Sequence, residues 1–105
     1  MRRGEIRWYR FGRPDKKRPV LILTRDSVMD VLGEVTVAPI TSTVRDVPSE
    51  VVLTPADGVQ RECAINLYHM QTVPRGRVGA LIAALPAHRM NQVRSALLFA
   101  LGFDD

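Results

Sequence analysis

Lys16-Lys17-Arg18-Pro19-Val20-Leu21-Ile22-Leu23-Thr24 is the stretch on which the reading of this chain turns. Two lysines and an arginine run into a proline, and four apolar residues follow without a break. An apolar run of this length, with a turn-rich segment before it and Asp26-Ser27 after it, predicts a strand buried on both faces. Pro19 suits the first position of that strand, where no ladder donor is required. The guanidinium of Arg18 then stands at the mouth of the sheet, on a rigid element and within reach of solvent. Such a position holds a phosphate. Charge alone does not say what becomes of it.

Upstream, Gly4-Glu5-Ile6-Arg7-Trp8-Tyr9-Arg10 alternates, with Ile6, Trp8 and Arg10 on one face and Glu5, Arg7 and Tyr9 on the other, as in a half-buried strand. Residues 11–17 form a basic loop punctuated by Gly12, Pro14 and Asp15. Downstream, residues 24–33 read as a strand end and a single turn, capped by Asp26 or Ser27 and closed by Gly33. Residues 34–40 are β-branched and strand-like, with Pro39 at an edge or bulge, and they run into three hydroxyls, Thr41, Ser42 and Thr43. Residues 50–54 make another short strand, and Pro55-Ala56-Asp57-Gly58 is a turn. Residues 62–67 are a fifth strand that 68–73 continue, and 78–82 supply a last one.

Then the period changes. Met90, Val93, Leu97, Leu98 and Leu101 fall on one stripe of a helix, with Pro86 in its first turn and Gly102 as its C-terminal cap. Five or six short strands followed by one amphipathic helix predict a mainly β domain. Its form is a small curled sheet or barrel with the helix packed against it.

At 105 residues the chain makes one domain, 1–105, with the ordinary composition of a soluble globular protein. No apolar run reaches the ~20 residues of a membrane span, and the N-terminus lacks the apolar core of a secretory signal. Cytoplasmic placement is the expectation, with no membrane partner. The lone Cys63 rules out an internal disulfide framework and reads as a small core residue. The net charge of +4 is unevenly spread: residues 2–18 carry +6 and the remainder −2. Thirteen of the fifteen basic residues are arginine, the side chain that makes planar forked contacts with phosphate. This one-sided field points to a polyanion such as nucleic acid. A solvated arginine-rich surface accounts for the charge equally well, and the two readings stay open on charge alone.

Two histidines, His69 and His88, lie in different elements without ligand spacing, so no metal and no other cofactor are expected. Neither a phosphate-cradling glycine loop nor a Gly-x-Ser-x-Gly elbow is present. What remains is Arg18 at a strand start and Thr41-Ser42-Thr43 at a strand end. Brought together, they make a site for phosphate chemistry. Arginine neutralises charge building on a phosphorane, and hydroxyls orient a non-bridging oxygen. Left apart, the hydroxyls bond only turn backbone.

Three segments in order, Arg3-Gly4-Glu5-Ile6, Lys17-Arg18-Pro19-Val20-Leu21-Ile22-Leu23 and Val37-Ala38-Pro39-Ile40-Thr41-Ser42, closely resemble the MazF/PemK family of toxins. The resemblance continues through Glu50-Val51-Val52-Leu53, the Gly58 turn and the closing helix. It implies an SH3-like β-barrel of five to seven strands with a C-terminal helix, assembled as a homodimer. It also implies a metal-independent endoribonuclease that cuts single-stranded RNA, whether mRNA, tRNA or rRNA, and is silenced by a cognate antitoxin protein. By the family motifs, Arg18 and Thr41 are catalytic. Ser42, Thr43, Lys16, Lys17 and Arg13 are expected at the substrate; Trp8, Tyr9 and Phe11 are candidates for a surface on which unpaired bases stack, with Phe11 the best of them and Trp8 expected in the core or a dimer interface.

Tyr68-His69 stands where many relatives carry an acidic residue and a glutamine. His69 is therefore a candidate for substrate contact and for the base, against the reading of a histidine packed on the sheet. Two other classes compete with the enzyme. One is a gyrase poison like CcdB, which depends on a Trp-Gly-Ile ending where this chain has Leu101-Gly102-Phe103-Asp104-Asp105. The other is an inactive barrel that binds RNA or antitoxin.

Overall fold

The computed structural model describes residues 1–12 and 16–104. Seven strands precede one helix: β1 (Glu5–Arg10), β2 (Lys17–Ile22), β3 (Glu34–Thr41), β4 (Glu50–Leu53), β5 (Cys63–Asn66), β6 (Gln71–Pro74), β7 (Leu81–Ala84) and α1 (Ala87–Leu101). Short 3-10 turns at Asp26–Val28, Pro55–Asp57, Leu67–His69 and Arg75–Arg77 link them. The strands lie in the order β4-β5-β3-β2-β1-β7, with β6 also on β3, and every pairing is antiparallel. The result is a curled half-barrel.

β2 is buried on both faces, as its unbroken apolar run predicts. Leu21 enters a cluster with Ile6, Ala38, Ile40, Ile65 and Val93, beneath the helix. Val20 and Ile22 enter a second cluster with Tyr9, Val35, Val37 and Val73 on the other side of the sheet. Burying side chains of these sizes is worth roughly 1.5–3 kcal/mol each, which anchors β2 as the fixed floor of whatever lies at its end.

β3 serves two ladders. Glu34–Val37 pair with β6, whereas Ile40 and Thr41 pair with β5. Pro39 falls where one partner ends and the next begins, the place in an inner strand that best tolerates a residue without an N–H. Thr41 is thereby carried to the last rung of β3, opposite Ala64.

Several sequence expectations shift. Pro19 is the third residue of β2, paired with Trp8, because the β1–β2 ladder extends through Lys17. The fifth strand ends at Asn66, whose side chain accepts from the N–H of Tyr68 at 3.0 Å and turns the chain into the Leu67–His69 helix. β6 is therefore a separate strand. β7 runs Leu81–Ala84, later than the expected 78–82, because Val78 caps the Arg75–Arg77 turn and the strand begins only at Leu81. Asp26 opens its turn without a side-chain cap; its Oδ1 accepts from the N–H of Arg3 at 2.7 Å.

Pro86 is the N-cap of α1, one residue before its first turn, and Gly102 closes the helix at φ 79°. Val93 and Ala96 are buried, with Met90, Leu97 and Ala100 packed beside them, while Leu101 is exposed. The predicted stripe thus holds in its first half and turns outward at its end. Among the described residues no helix is long and apolar enough to cross a membrane.

Candidate active site

The β2–β3 register runs Ile22–Val37, Leu21–Ala38 and Val20–Pro39, where the ladder stops. Carried two residues further, the same register sets Arg18 across from Thr41. Beyond that last rung the two strands part, and a cleft of about 510 Å³ opens. Arg18, Thr41, Ser42, Lys16 and Lys17 line it together. Antiparallel pairing of two strands far apart in the sequence is what unites the arginine with the hydroxyls.

The cleft lining is of two chemical kinds. Lys16, Lys17, Arg18 and Arg61 supply cations, with the Thr41 and Ser42 hydroxyls and the Gln60 amide, while Trp8, Pro19, Val59, Leu81 and Ile82 supply apolar surface. Among the described residues its lining holds no carboxylate. Such a site attracts an anion with an apolar portion. The Thr41 Oγ1 accepts from the N–H of Thr43 at 3.1 Å, a local turn contact. A hydroxyl has one donor and two acceptor positions, so its proton stays available for an oxygen in the cleft.

Other expected residues lie elsewhere. Thr43 serves the site through its backbone N–H. Phe11 sets its ring edge-on to Tyr9, centroids 4.9 Å apart, and packs on the second core cluster instead of facing the cleft. His69 is exposed on the Leu67–His69 turn and outside the cleft lining. Its Nδ1 is 3.3 Å from the Asn66 side-chain amide, and its ring stacks with Tyr68 at 6.3 Å. It is neither at the cleft nor packed on the sheet. Arg13 lies outside the described residues.

Trp8 and Arg61 are cleft residues that the sequence reading did not place there first. Trp8, expected in the core or an interface, is half-buried in the apolar part of the lining with the Lys17 ammonium 5.7 Å from its ring centroid. That is a cation–π contact worth about 0.5–1 kcal/mol at an exposed site. Arg61 resembles Arg18 in preceding a buried strand by a short step. Its relevance depends on the β3–β5 pairing that brings residues 61–63 alongside Thr41, which no local pattern reveals.

The loop bearing Val59, Gln60 and Arg61 is pinned at its start. Thr54 and Asp57 form a capping box around Pro55–Asp57, and Gly58 follows at φ 94°, a left-handed conformation glycine adopts without penalty. Arg89 of α1 then grips Asp57 in a fork, Nε to Oδ1 at 2.9 Å and Nη2 to Oδ2 at 2.7 Å. The Arg89 hydrogen bond, opposed by burial and aided by the Thr54 N–H, holds the Asp57 carboxyl below its ordinary range. Burial raises the Glu5 carboxyl, but the Arg7 side chain and the Arg2 N–H outweigh it and leave the net value lowered. Cys63 lines the cleft as a buried thiol whose pKa is raised by burial, the opposite of an activated nucleophile.

A larger cleft of about 700 Å³ lies between α1 and β4. Asp46, Glu50 and Asp104 rim it, and its one cation, Arg89, is already committed to Asp57. That electrostatic balance does not suit a phosphate.

Comparisons with known proteins identify the family. A family model described as PemK-like, MazF-like toxin of type II toxin–antitoxin system matches residues 2–101. The probable endoribonuclease MazF2 of Mycobacterium tuberculosis (strain H37Rv) is 37% identical over 103 residues, covering 97% of this chain and 99% of that protein. Endoribonuclease MazF3 of the same strain is 39% identical over 90 residues, covering 86% and 87%. Among solved structures, the Mycobacterium tuberculosis toxin MazF-mt6 superposes with a TM-score of 0.87 at 35% identity, covering 96% of this chain and 99% of that one. The MazE–MazF crystal structure from Deinococcus radiodurans gives 0.82 at 27% identity, covering 97% and 96%. With nearly its whole length matched, this chain belongs to the PemK-like, MazF-like family of type II toxin–antitoxin toxins.

Proposed function

We propose that this protein is the toxin of a toxin–antitoxin pair and acts as an endoribonuclease on single-stranded RNA without a metal ion. The observation that carries the reading is that Arg18 and Thr41 line one cleft together with further cations and hydroxyls. In the proposed reaction the substrate's own 2′-hydroxyl oxygen forms a bond to the adjacent phosphorus. The bond from phosphorus to the 5′-oxygen breaks, the 2′ proton is lost, and the leaving oxygen gains one. The products are a 2′,3′-cyclic phosphate and a 5′-hydroxyl.

Arg18 supplies charge to the phosphorane, and the Thr41 hydroxyl donates to a non-bridging oxygen, with Ser42 beside it. A guanidinium with a pKa above ~12 is suited to electrostatic stabilisation far more than to proton donation. Lys16, Lys17 and Arg61 hold neighbouring phosphates. A homodimer fits the exposed edges of β4 and β7, each of which has a free side for a second chain. The antitoxin is a segment of acidic and apolar residues that covers the cationic and apolar surfaces at once.

The test is incubation of the purified protein with a long single-stranded RNA in EDTA, mapping both ends of the fragments. Discrete cuts with 5′-hydroxyl ends are expected. Arg18→Ala, at an exposed position, keeps its melting temperature and loses about 100- to 1000-fold in rate, the range for removing one transition-state donor. Cleavage unaltered by Arg18→Ala refutes the assignment.

A further inference from the structure

β7 runs against β1 as Glu5–Ala84 and Ile6–Ala83, and then Arg7 meets Leu81, so Ile82 is an extra residue in the ladder. A bulge of this kind re-aims the side chains around it. Here Leu81 and Ile82, consecutive along the strand, both reach the cleft wall, and Leu81 is 53% exposed. The segment just before β7 clamps Trp8 from both ends. The N–H of Trp8 donates to Ala80 O at 3.1 Å, and Trp8 O accepts from the N–H of Gly79 at 2.7 Å. A Cβ on Gly79 would lie 3.1 Å from Trp8 O, a tight contact, so the approach favours glycine. Arg7 ties the clamp down, Nη1 donating to Gly79 O at 3.1 Å and Nε to Glu5 Oε1 at 2.8 Å.

The indole thus has a fixed backbone and lines the same cleft as Arg18 and Thr41, with the Lys17 ammonium beside its ring. We propose that Trp8, backed by Leu81 and Ile82, is the platform on which an unpaired base stacks beside the phosphate held by Arg18 and Thr41. This rests on the ribonuclease reading and adds to it the subsite that selects single strands. A base in a duplex has both faces covered by its neighbours, whereas an unpaired base offers its π-face to an aromatic side chain. The Lys17 ammonium now over the ring is exposed. It exchanges for the base and moves to a phosphate.

Trp8 is the sole tryptophan of the chain, so intrinsic fluorescence reports this ring alone. The wild-type protein is titrated with three probes: a short 2′-O-methyl single strand spanning the mapped cut, the same strand in a duplex, and an abasic sugar–phosphate strand of equal length. The single strand is expected to change the emission saturably, and the duplex to leave it unchanged. The abasic strand is expected to bind about 10-fold more weakly, the ~1.4 kcal/mol of one base–aromatic stack, without the spectral change. In cleavage, Trp8→Leu raises KM about 10-fold with a smaller effect on kcat, and Trp8→Phe restores most of the loss.

Equal affinity for base-bearing and abasic strands, with unchanged emission from a protein that cuts RNA, overturns the platform and leaves the ribonuclease reading intact. So does full activity of a folded Trp8→Leu. A protein that shows the spectral change and cuts nothing in EDTA keeps the platform and loses the ribonuclease.

Discussion

Arg89→Met leaves the carboxylate of Asp57 in place and removes the fork that satisfies it. Exposed ion pairs contribute roughly 0.2–1 kcal/mol, whereas removing one partner of a buried pair costs about 3–5 kcal/mol. The side chains here are 20% and 10% exposed, and both carboxylate oxygens accept from Arg89. The expected loss therefore falls between those ranges, at about 2 kcal/mol. For a domain of this size that lowers the melting temperature by about 8–10 °C, measured by calorimetry at fixed protein concentration and pH 7.

The pH dependence has a definite sign. Asp57 titrates below its ordinary 3.8 in the folded state. Its contribution is present above that value and is lost as pH falls through the depressed folded pKa. The deficit of Arg89→Met must therefore shrink in acid below 3.8. Adding Asp57→Asn removes the stranded charge, so the double variant recovers part of the loss. A variant that melts with the wild type at pH 7, or a deficit that persists undiminished in acid, refutes this account of how the loop carrying Arg61 is anchored.

Gly58→Ala forces a left-handed alanine whose Cβ would sit 2.8 Å from that of Ala83. The conformation alone costs about 1–2 kcal/mol, so a fall of at least 5 °C in thermal denaturation is expected. Thr41→Val removes the hydroxyl and is expected to slow cleavage about 100-fold in single-turnover assays, while Thr41→Ser keeps most of the rate. RNA affinity should fall with salt along a log–log slope of about −3, since four cations line the cleft and single strands give about −0.7 per neutralised phosphate. Substituting Arg61→Ala should flatten that slope by about 0.7, read by fluorescence anisotropy across a salt series.

Local rules reached far in this chain. The uninterrupted run Val20-Leu21-Ile22 declared a two-faced strand because only a residue covered on both sides tolerates apolar side chains in succession. Pro55-Ala56-Asp57-Gly58 declared its turn, and Gly102 its helix end, because the required φ values admit few residue types. The same rules misplaced Pro19, merged β5 with β6 and sent Leu101 inward, since ladder length and the angle of a helix on a sheet are set by neighbours. Phe11 packs on the second core cluster and Trp8 lines the cleft for a similar reason. Alternation assigned faces within β1, but packing on both sides of the sheet buried residues of each face, Ile6 in one cluster and Tyr9 in the other.

The sequence by itself determined the local chemistry on offer: an arginine beside a rigid strand, hydroxyls at the end of another, and a basic N-terminal field. These are local properties, written in side-chain chemistry and hydrophobic period. Only the tertiary structure decided that Arg18, Thr41, Arg61 and Trp8 line one cleft. Those are distances between segments remote in the chain. They follow from strand register and from the packing of both sheet faces, and neither is encoded at any single position.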